Sequence, residues 1–420
     1  DGLATRSTYA LTFPALRAGL ADYLRRSRAL NVTPDNLLVT RGVANGLAAI
    51  AAAVIRPGDR VGVEEPGYPS AREVLRRAGA EVIPCPVDEH GVIPEEMPDG
   101  LRLLYVTPAH QYPLGGRLPV ARRQLLTSWA RTTGALIIED DYDGEFRYDV
   151  GPLPALYGMD PDVVIYLGTT SKILTPVLGV GWLVARPDLV SLLARRRTEI
   201  SERVPEPAQH ALLELITSGD LEKHVRRMRL EYARRRDVLM PLPGLRGDTA
   251  GMHVVLELPE DCPAGEVVAA AAERGLALST ADRYYVGPAT LNALVIGYGG
   301  ISLAKLRRAV AQLRPLLAGP ERGRGAGVRP RSGGPRGALP GALGAGGSRS
   351  GGRCRCRPGP CSRSPAPGRR RSGRPVPTAP GSARAGCRKD PRAGRPASAA
   401  RCPTNPASRR SPRHPSSGRS

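Results

Sequence analysis

Lysine is nearly absent from this chain, with four in 420 residues against 57 arginines. Where a plain positive charge serves, the sequence uses Arg, so each Lys asks for a reason that Arg cannot meet. Aromatics are also scarce, and residues 321–420 hold none. Those hundred residues have only four Leu, Val, Ile or Met, while Arg, Gly, Pro, Ala and Ser fill 84 positions. Such a segment cannot offset its chain entropy by burying apolar surface, which excludes a packed core and reads as disorder. Five of the seven cysteines lie there, leaving Cys85 and Cys262 in the body. That excludes a disulfide framework and suits a reducing, cytoplasmic compartment. No apolar run approaches a membrane span and no basic-then-apolar leader opens the chain, so no membrane partner is expected.

Net charge is lacking over most of the chain. The chain carries +22, but residues 321–420 hold 24 Lys and Arg against two acids, and residues 1–320 hold 37 of each sign. The body is therefore neutral, which excludes steering toward nucleic acid or membrane by net charge. For the tail one reading is an Arg-rich arm that binds nucleic-acid phosphate. Cys354, Cys356 and Cys361 lack the histidine or second cysteine pair that zinc requires. The expected reading is a frame shift or read-through, because Arg, Gly, Pro and Ala share codons rich in G and C.

The body alternates short apolar strands with helices. Strands are expected at Leu37–Thr40, Arg60–Glu65, Glu81–Ile83, Leu101–Thr107, Ala135–Glu139, Val163–Leu167 and Val180–Ala185. Helices are expected at Leu16–Leu30, Gly42–Ile55, Ser70–Ala78 and Val120–Thr132. This pattern predicts an α/β fold with a mostly parallel sheet covered on both faces. After Pro187 an Arg-rich helical stretch to Leu239 breaks near Pro205-Glu206-Pro207. Strand, helix, strand and helix then follow over His253–Leu258, Val267–Arg274, Leu291–Tyr298 and Leu303–Leu316. The expected division is a large α/β domain at 1–187, a smaller α+β domain at 188–318 and a disordered tail at 319–420.

Four constellations carry chemistry. Lys172 is the one charged residue between Val163 and Ala185, in Gly168-Thr169-Thr170-Ser171-Lys172. A lone Lys in apolar surroundings is expected to have a lowered pKa and to act as a nucleophile, and Arg cannot form an imine. The alternative is a loop Lys that reaches solvent. Glu139-Asp140-Asp141-Tyr142-Asp143 crowds the end of an apolar strand, where open α/β sheets bind ligands. A buried carboxylate there suits a pyridinium nitrogen and a tyrosine suits a phenolic oxygen; a solvated acidic loop or a metal site remains open. Pro66-Gly67-Tyr68 offers a ring for stacking. Arg41-Gly42-Val43-Ala44-Asn45-Gly46 opens a helix whose N–H groups suit phosphate.

Together these runs resemble the pyridoxal-phosphate (PLP) dependent aminotransferases of class I/II, fold type I. More closely, the chain resembles the aminotransferase-like domain of the MocR-type regulators of the GntR family. The runs that carry the match include Glu64-Glu65-Pro66-Gly67-Tyr68, Thr107-Pro108-Ala109-His110-Gln111-Tyr112-Pro113-Leu114-Gly115, Glu139 to Phe146, Gly168 to Lys172 and Ala250-Gly251-Met252-His253. The resemblance spans about Tyr9 to Leu316, and the family's winged helix-turn-helix is not found before it.

The resemblance implies a homodimer that binds PLP, with Lys172 as the Schiff-base lysine. Asp140 matches the partner of the ring nitrogen, Tyr142 that of the ring oxygen, and Tyr68 the stacking aromatic. Ser171 with Gly42, Val43 and Ala44 matches the phosphate cradle, and Tyr9 the tyrosine that reaches phosphate across the dimer. His110 receives no role, and no metal is expected. Two departures stand out. Gly179 occupies the position where the family has a phosphate-binding Arg, a loss of about 1.5–3 kcal/mol for one charge-assisted contact. Ala293 to Tyr298 lacks the Arg that grips a substrate carboxylate. The expected function is amino-group transfer between an amino acid or amine and a keto acid. The alternatives are an effector-sensing regulator domain that binds PLP without turnover, and a truncated inactive product.

Overall fold

The computed structural model describes residues 13–149 and 154–317; Tyr9 and the expected disordered tail at 319–420 lie outside them. The principal sheet has eight strands: β1 (Leu37–Thr40), β2 (Arg60–Glu65), β3 (Glu81–Asp88), β4 (Gly91–Val92), β5 (Leu103–Val106), β6 (Leu136–Asp140), β7 (Val164–Thr169) and β8 (Gly181–Val184). Their order is β1-β8-β7-β6-β5-β2-β3-β4. The five strands from β7 to β3 are mutually parallel, while β8 runs against both β7 and β1. The expected parallel centre is present, but the sheet is mixed because β8 and the β3–β4 hairpin turn back on it. Pro84 and Pro86 sit in β3 near the sheet edge, where missing N–H groups disrupt least.

Successive strand residues point to opposite faces, and two cores result. On one face Leu103, Tyr105, Ile138, Ile165 and Leu183 pack with Leu47 and Ile50 of α2 (Val43–Val54) and Leu193 of α6 (Pro187–Glu199). On the other, Leu104, Val106, Ile137, Tyr166 and Trp182 pack with Leu16, Leu20 and Leu24 of α1 (Pro14–Arg28) and Leu126 of α4 (Val120–Thr133). Each such side chain contributes about 1.5–3 kcal/mol by leaving water. Gly46 lets α2 approach the sheet: a Cβ there would meet Leu167 at 2.9 Å. Of the remaining helices in this region, α3 (Pro69–Arg77) follows β2 and the single turn α5 (Thr170–Ile173) follows β7.

The stretch expected to be helical after Pro187 is three helices, not two. α6 stops before Pro205, as its sequence predicts, and α7 (Glu206–Thr217) ends at Ser218. Gly219, in the left-handed conformation at φ 71°, then starts α8 (Asp220–Leu239). A second, antiparallel sheet follows in the order β11-β12-β10-β9. It comprises β9 (Leu245–Arg246), β10 (His253–Glu257), β11 (Ser279–Thr280) and β12 (Ala293–Gly297), with α9 (Ala264–Glu273) and α10 (Leu303–Leu317) alongside. The two-residue strands β9 and β11 escape sequence reading because no period shows over two residues. α1 joins this part of the chain to the first: the Phe13 N–H donates to Gln209 Oε1 of α7 at 3.0 Å. No helix among the described residues is long and apolar enough to cross a membrane.

Candidate functional site

Because β2, β5, β6 and β7 are parallel, their carboxyl ends share one edge of the sheet. β8 is antiparallel to β7 and β1, so Gly181 at its start pairs with Thr169 and Thr40 at the carboxyl ends of those two strands. The segments after Glu65, Val106, Asp140, Thr169 and Thr40 therefore rise from the same edge, and every predicted site residue that is described lies at these strand ends or in the loop or first helical turn that follows.

Asp140 ends β6 on the face that Ile138 shares, and Ile138 is in register with Tyr105 of β5. The Tyr105 hydroxyl donates to Asp140 Oδ2. Oδ1 is buried and has no hydrogen-bond partner. Burial pushes the Asp140 carboxyl up to about 7; the Tyr105 bond opposes this, Asp141 and Asp143 add to it, and Lys172 lowers it. A buried acceptor without a donor is costly. A protonated ring nitrogen would supply that donor, so the site fits a pyridinium.

The other acids of the run are neither a solvated loop nor a metal cluster around Asp140. Glu139 accepts from the N–H groups of Leu156 and Tyr157 at 2.8 and 2.9 Å. Asp141 pairs with the buried Arg28 and accepts from Tyr166 at 2.7 Å. Glu145 accepts from Tyr23 at 3.1 Å. Asp141 Oδ1 is also buried without a hydrogen bond, but its carboxylate is neutralised by Arg28 through Oδ2; Asp140 combines an unpartnered oxygen with the absence, among the described residues, of an ion pair.

Tyr142 is half-buried, and its hydroxyl donates to the His110 carbonyl at 3.1 Å. Burial, then the Asp143 charge, raise its pKa well above the usual phenol value, so it stays a donor. His110 Nδ1 lies 2.9 Å from Asp143 Oδ2 and 3.0 Å from the Tyr142 hydroxyl. Gly251, at φ +77°, makes room for this group: a Cβ there would fall 2.1 Å from His110 Cε1 and 2.9 Å from Asp143 Oδ2. Gly251→Ala combines left-handed strain with that overlap, so a loss of about 3 kcal/mol or more is expected in chemical denaturation. An unchanged midpoint would count against this packing.

Gly42 begins α2 at φ +107° and stands opposite Thr169 and Ser171; a Cβ on it would lie 3.6 Å from Thr169 Oγ1 and 4.0 Å from Ser171 Oγ. Thr169 caps α5 by accepting from the Ser171 N–H at 3.1 Å and donates to Ser171 Oγ at 3.0 Å. Val43 and Ala44 form the first turn of α2, whose N–H groups have no carbonyl a turn earlier in the helix. This is a cradle for an anion. Gly179 follows the turn Pro176–Leu178 at φ +60°, two residues before Gly181, whose added Cβ would lie 2.6 Å from Gly42 Cα.

Lys172 corrects one expectation. It is exposed, not enclosed by apolar side chains, because the single turn of α5 buries Thr170 and Ile173 and leaves Lys172 on the open side. Its charge is nevertheless felt at Asp140 and His253. Tyr68 precedes α3 and meets Tyr112 edge to face at 5.8 Å. Tyr112 also contacts Tyr142 at 5.7 Å, Tyr284 at 5.4 Å and His253 at 4.9 Å between ring centroids.

The structure thus brings Gly42 to Ser171, and Asp140 and Tyr142 to one strand end, with Tyr68 joined through Tyr112. Sequence reading placed Thr169, Asp143 and His253 in the matching runs without a role, and missed Tyr105, Tyr284 and Arg28 altogether. Tyr105 had a signal, a hydroxyl inside an apolar strand that must find a partner. Arg28, one basic residue among many, had none.

Comparisons with known proteins agree with this geometry. The aminotransferase class I and II family model matches residues 4–242. The HTH-type pyridoxine biosynthesis transcriptional regulator PdxR of Corynebacterium glutamicum is 39% identical over 309 residues, covering 72% of this chain and 68% of that protein. The probable rhizopine catabolism regulatory protein MocR of Rhizobium meliloti is 32% identical, covering 72% and 63%. The chain thus spans about two thirds of these regulators' lengths. Among solved structures, an archaeal alanine:glyoxylate aminotransferase superposes with a TM-score of 0.69 at 26% identity, over 74% of this chain and 81% of that one. The architecture is that of the PLP-dependent aminotransferases of fold type I. The chain therefore belongs to the aminotransferase class I and II family, whose cofactor is PLP, in the form of the aminotransferase-like domain of MocR-type regulators.

Proposed function

We propose that this chain holds PLP through Lys172 and moves an amino group between an amino acid or amine and a keto acid. The observation that carries this is Asp140 Oδ1, a buried acceptor without a partner on the strand end beside Tyr142. PLP, when bound, supplies an electron sink conjugated to the carbon that carries the substrate's amine. Asp140 would hold the ring nitrogen protonated, Tyr142 would donate to the ring oxygen, and Tyr68 would stack. Gly42, Val43, Ala44 and Ser171 would receive the phosphate. The assembly we propose is a homodimer in the cytoplasm, with a large domain at 1–187 and a small one at 188–318. Adding PLP to the purified protein tests the reading. A visible band with keto-acid-dependent consumption of an amine supports it, and absence of the band overturns it.

A second reading has support of its own. The relatives at 39% and 32% identity are regulators by name, and Gly179 offers no guanidinium at its position. In that reading the same residues bind PLP and an effector amine without turnover. A band that responds to amines while no keto acid is consumed would favour it.

Gly179 makes a measurable prediction under both readings. Gly179→Arg restores a cation where the space is open, the nearest atom to an added Cβ being Val177 O at 4.0 Å. The left-handed backbone costs about 1–2 kcal/mol and a charge-assisted contact contributes about 1.5–3 kcal/mol. PLP is expected to bind up to about tenfold tighter, read by spectral titration. Weaker binding would mean that another group already supplies the charge.

A further inference from the structure

His110 has no part in the reading above, yet its side chain is only 3% exposed and its bonds are specific. Nδ1 stands 2.9 Å from Asp143 Oδ2, itself 1% exposed, and 3.0 Å from the Tyr142 hydroxyl. A carboxylate only accepts, so the proton on Nδ1 points to Asp143. The tyrosine's own proton goes to the His110 carbonyl at 3.1 Å. The phenol oxygen lies beside the same Nδ1–H at 3.0 Å, so the proton that Asp143 holds in place is shared toward its lone pair, while the His110 carbonyl takes the phenol's own proton. His253 stacks 5.0 Å from His110 and donates from Nε2 to the Pro113 carbonyl at 2.9 Å. Burial and the neighbouring His110 push its pKa down to about 3, so it stands there uncharged.

We propose that Asp143 and His110 form a buried dyad that fixes the proton and orientation of the Tyr142 phenol, which makes His110 a positioning residue of the PLP site. The geometry stands by itself; its consequence for the cofactor rests on the PLP reading. The groups that act on Tyr142 are Asp143, Tyr112, Asp140 and Glu64. The rings of His110 and His253 lie 6.2 and 6.5 Å away, and Lys172 acts on Asp140 and His253. Asp143 is the one bonded to His110, which is why its neutral variant isolates the dyad. Among the described residues His110, Asp143 and His253 are also the set whose ligand atoms, all within 4.8 Å of one another, could hold a metal ion. Against a metal, His110 Nδ1 and His253 Nε2 are already engaged.

The test is the tautomer of His110 in the full chain labelled with ¹⁵N-histidine, where only six histidines give signals. The expected form is Nδ1–H with a downfield hydrogen-bonded proton. That proton is lost in Asp143→Asn and persists at a shifted position in Tyr142→Phe, which serves alone if the Asn variant does not fold. In PLP-loaded protein, Asp143→Asn removes a negative charge near the site and is expected to lower the pH midpoint of the visible band by about one unit. In a Tyr142→Phe background that shift is expected to shrink by more than half. An Nε2–H tautomer in the wild type, a midpoint unmoved in Asp143→Asn, or a spectrum that changes with added zinc would each overturn the dyad. A wild type that forms no band overturns the PLP reading instead, and the tautomer still decides the dyad.

Discussion

Lys172→Ala mixed with PLP is expected to show no visible band beyond that of free PLP, and no amino-group transfer. A covalent link to the cofactor needs a primary amine, so Lys172→Arg is expected to fail equally although it keeps the charge. Lys223, which pairs with Asp220 at 2.9 Å on the surface, gives a control whose loss leaves the band intact. Exposure of Lys172 makes the experiment clean. An exposed side chain outside the core is worth no more than about 0.5 kcal/mol to the fold, so thermal melts without PLP are expected to coincide. Loss of the band with an unchanged melt identifies chemistry; an undiminished band in Lys172→Ala would end this assignment.

Asp140→Asn is expected to have effects of opposite sign on stability and function. The folded carboxyl titrates near 7, chiefly through burial, against about 3.9 in an unfolded chain. Because the folded state holds the proton more tightly, its stabilising contribution is complete below about pH 4 and is lost as pH rises through about 7. Three units at about 1.4 kcal/mol each set a ceiling of roughly 4 kcal/mol at pH 8. The Asn amide escapes that penalty, although its own unpaired N–H returns part of it, leaving roughly 1–3 kcal/mol. Melts of cofactor-free wild type and variant are expected to cross, with the variant lower near pH 4, where only its unpaired N–H counts, and higher by pH 8. Glu64 and Glu139, also pushed up to about 7 by burial, remain in both proteins and cancel in the comparison. With PLP, the amide cannot keep the ring nitrogen protonated, and turnover is expected to fall by about 100- to 1000-fold. A variant less stable than wild type at pH 8 would contradict the unpartnered oxygen.

Much of the fold was legible because its signals are local. Strands of four to six apolar residues between Gly- and Pro-marked turns predicted β1, β2, β5, β6, β7 and β8 within about two residues at each end. Candidate site residues were singled out where chemistry limits the choice of residue. A Lys in a chain that prefers Arg, a carboxylate at a strand end and a glycine before a helix are each hard to replace, and the resemblance to a family then gave each its proposed role.

What sequence could not decide is how these residues meet. The charge of Lys172 and its apolar neighbours in sequence suggested enclosure, but the single turn of α5 points it outward, and burial depends on the turn rather than on sequence neighbours. Arg28, Asp141 and Tyr166 come from three separate parts of the chain, and Tyr105 finds Asp140 only through the register of two parallel strands. The role of Asp140 illustrates the division. The strand end marked all four acids from Glu139 to Asp143, and only the resemblance singled out Asp140 among them. Tertiary structure decided why it differs from its neighbours: Glu139 accepts from two backbone N–H groups, Asp141 pairs with Arg28 and Asp143 with His110, whereas Asp140 accepts only from a neutral Tyr105 hydroxyl and keeps its other oxygen without a partner. Hydrogen bonds are directional and short, so which acid remains available is a property of packing at the ångström scale, and no pattern of residue types carries it.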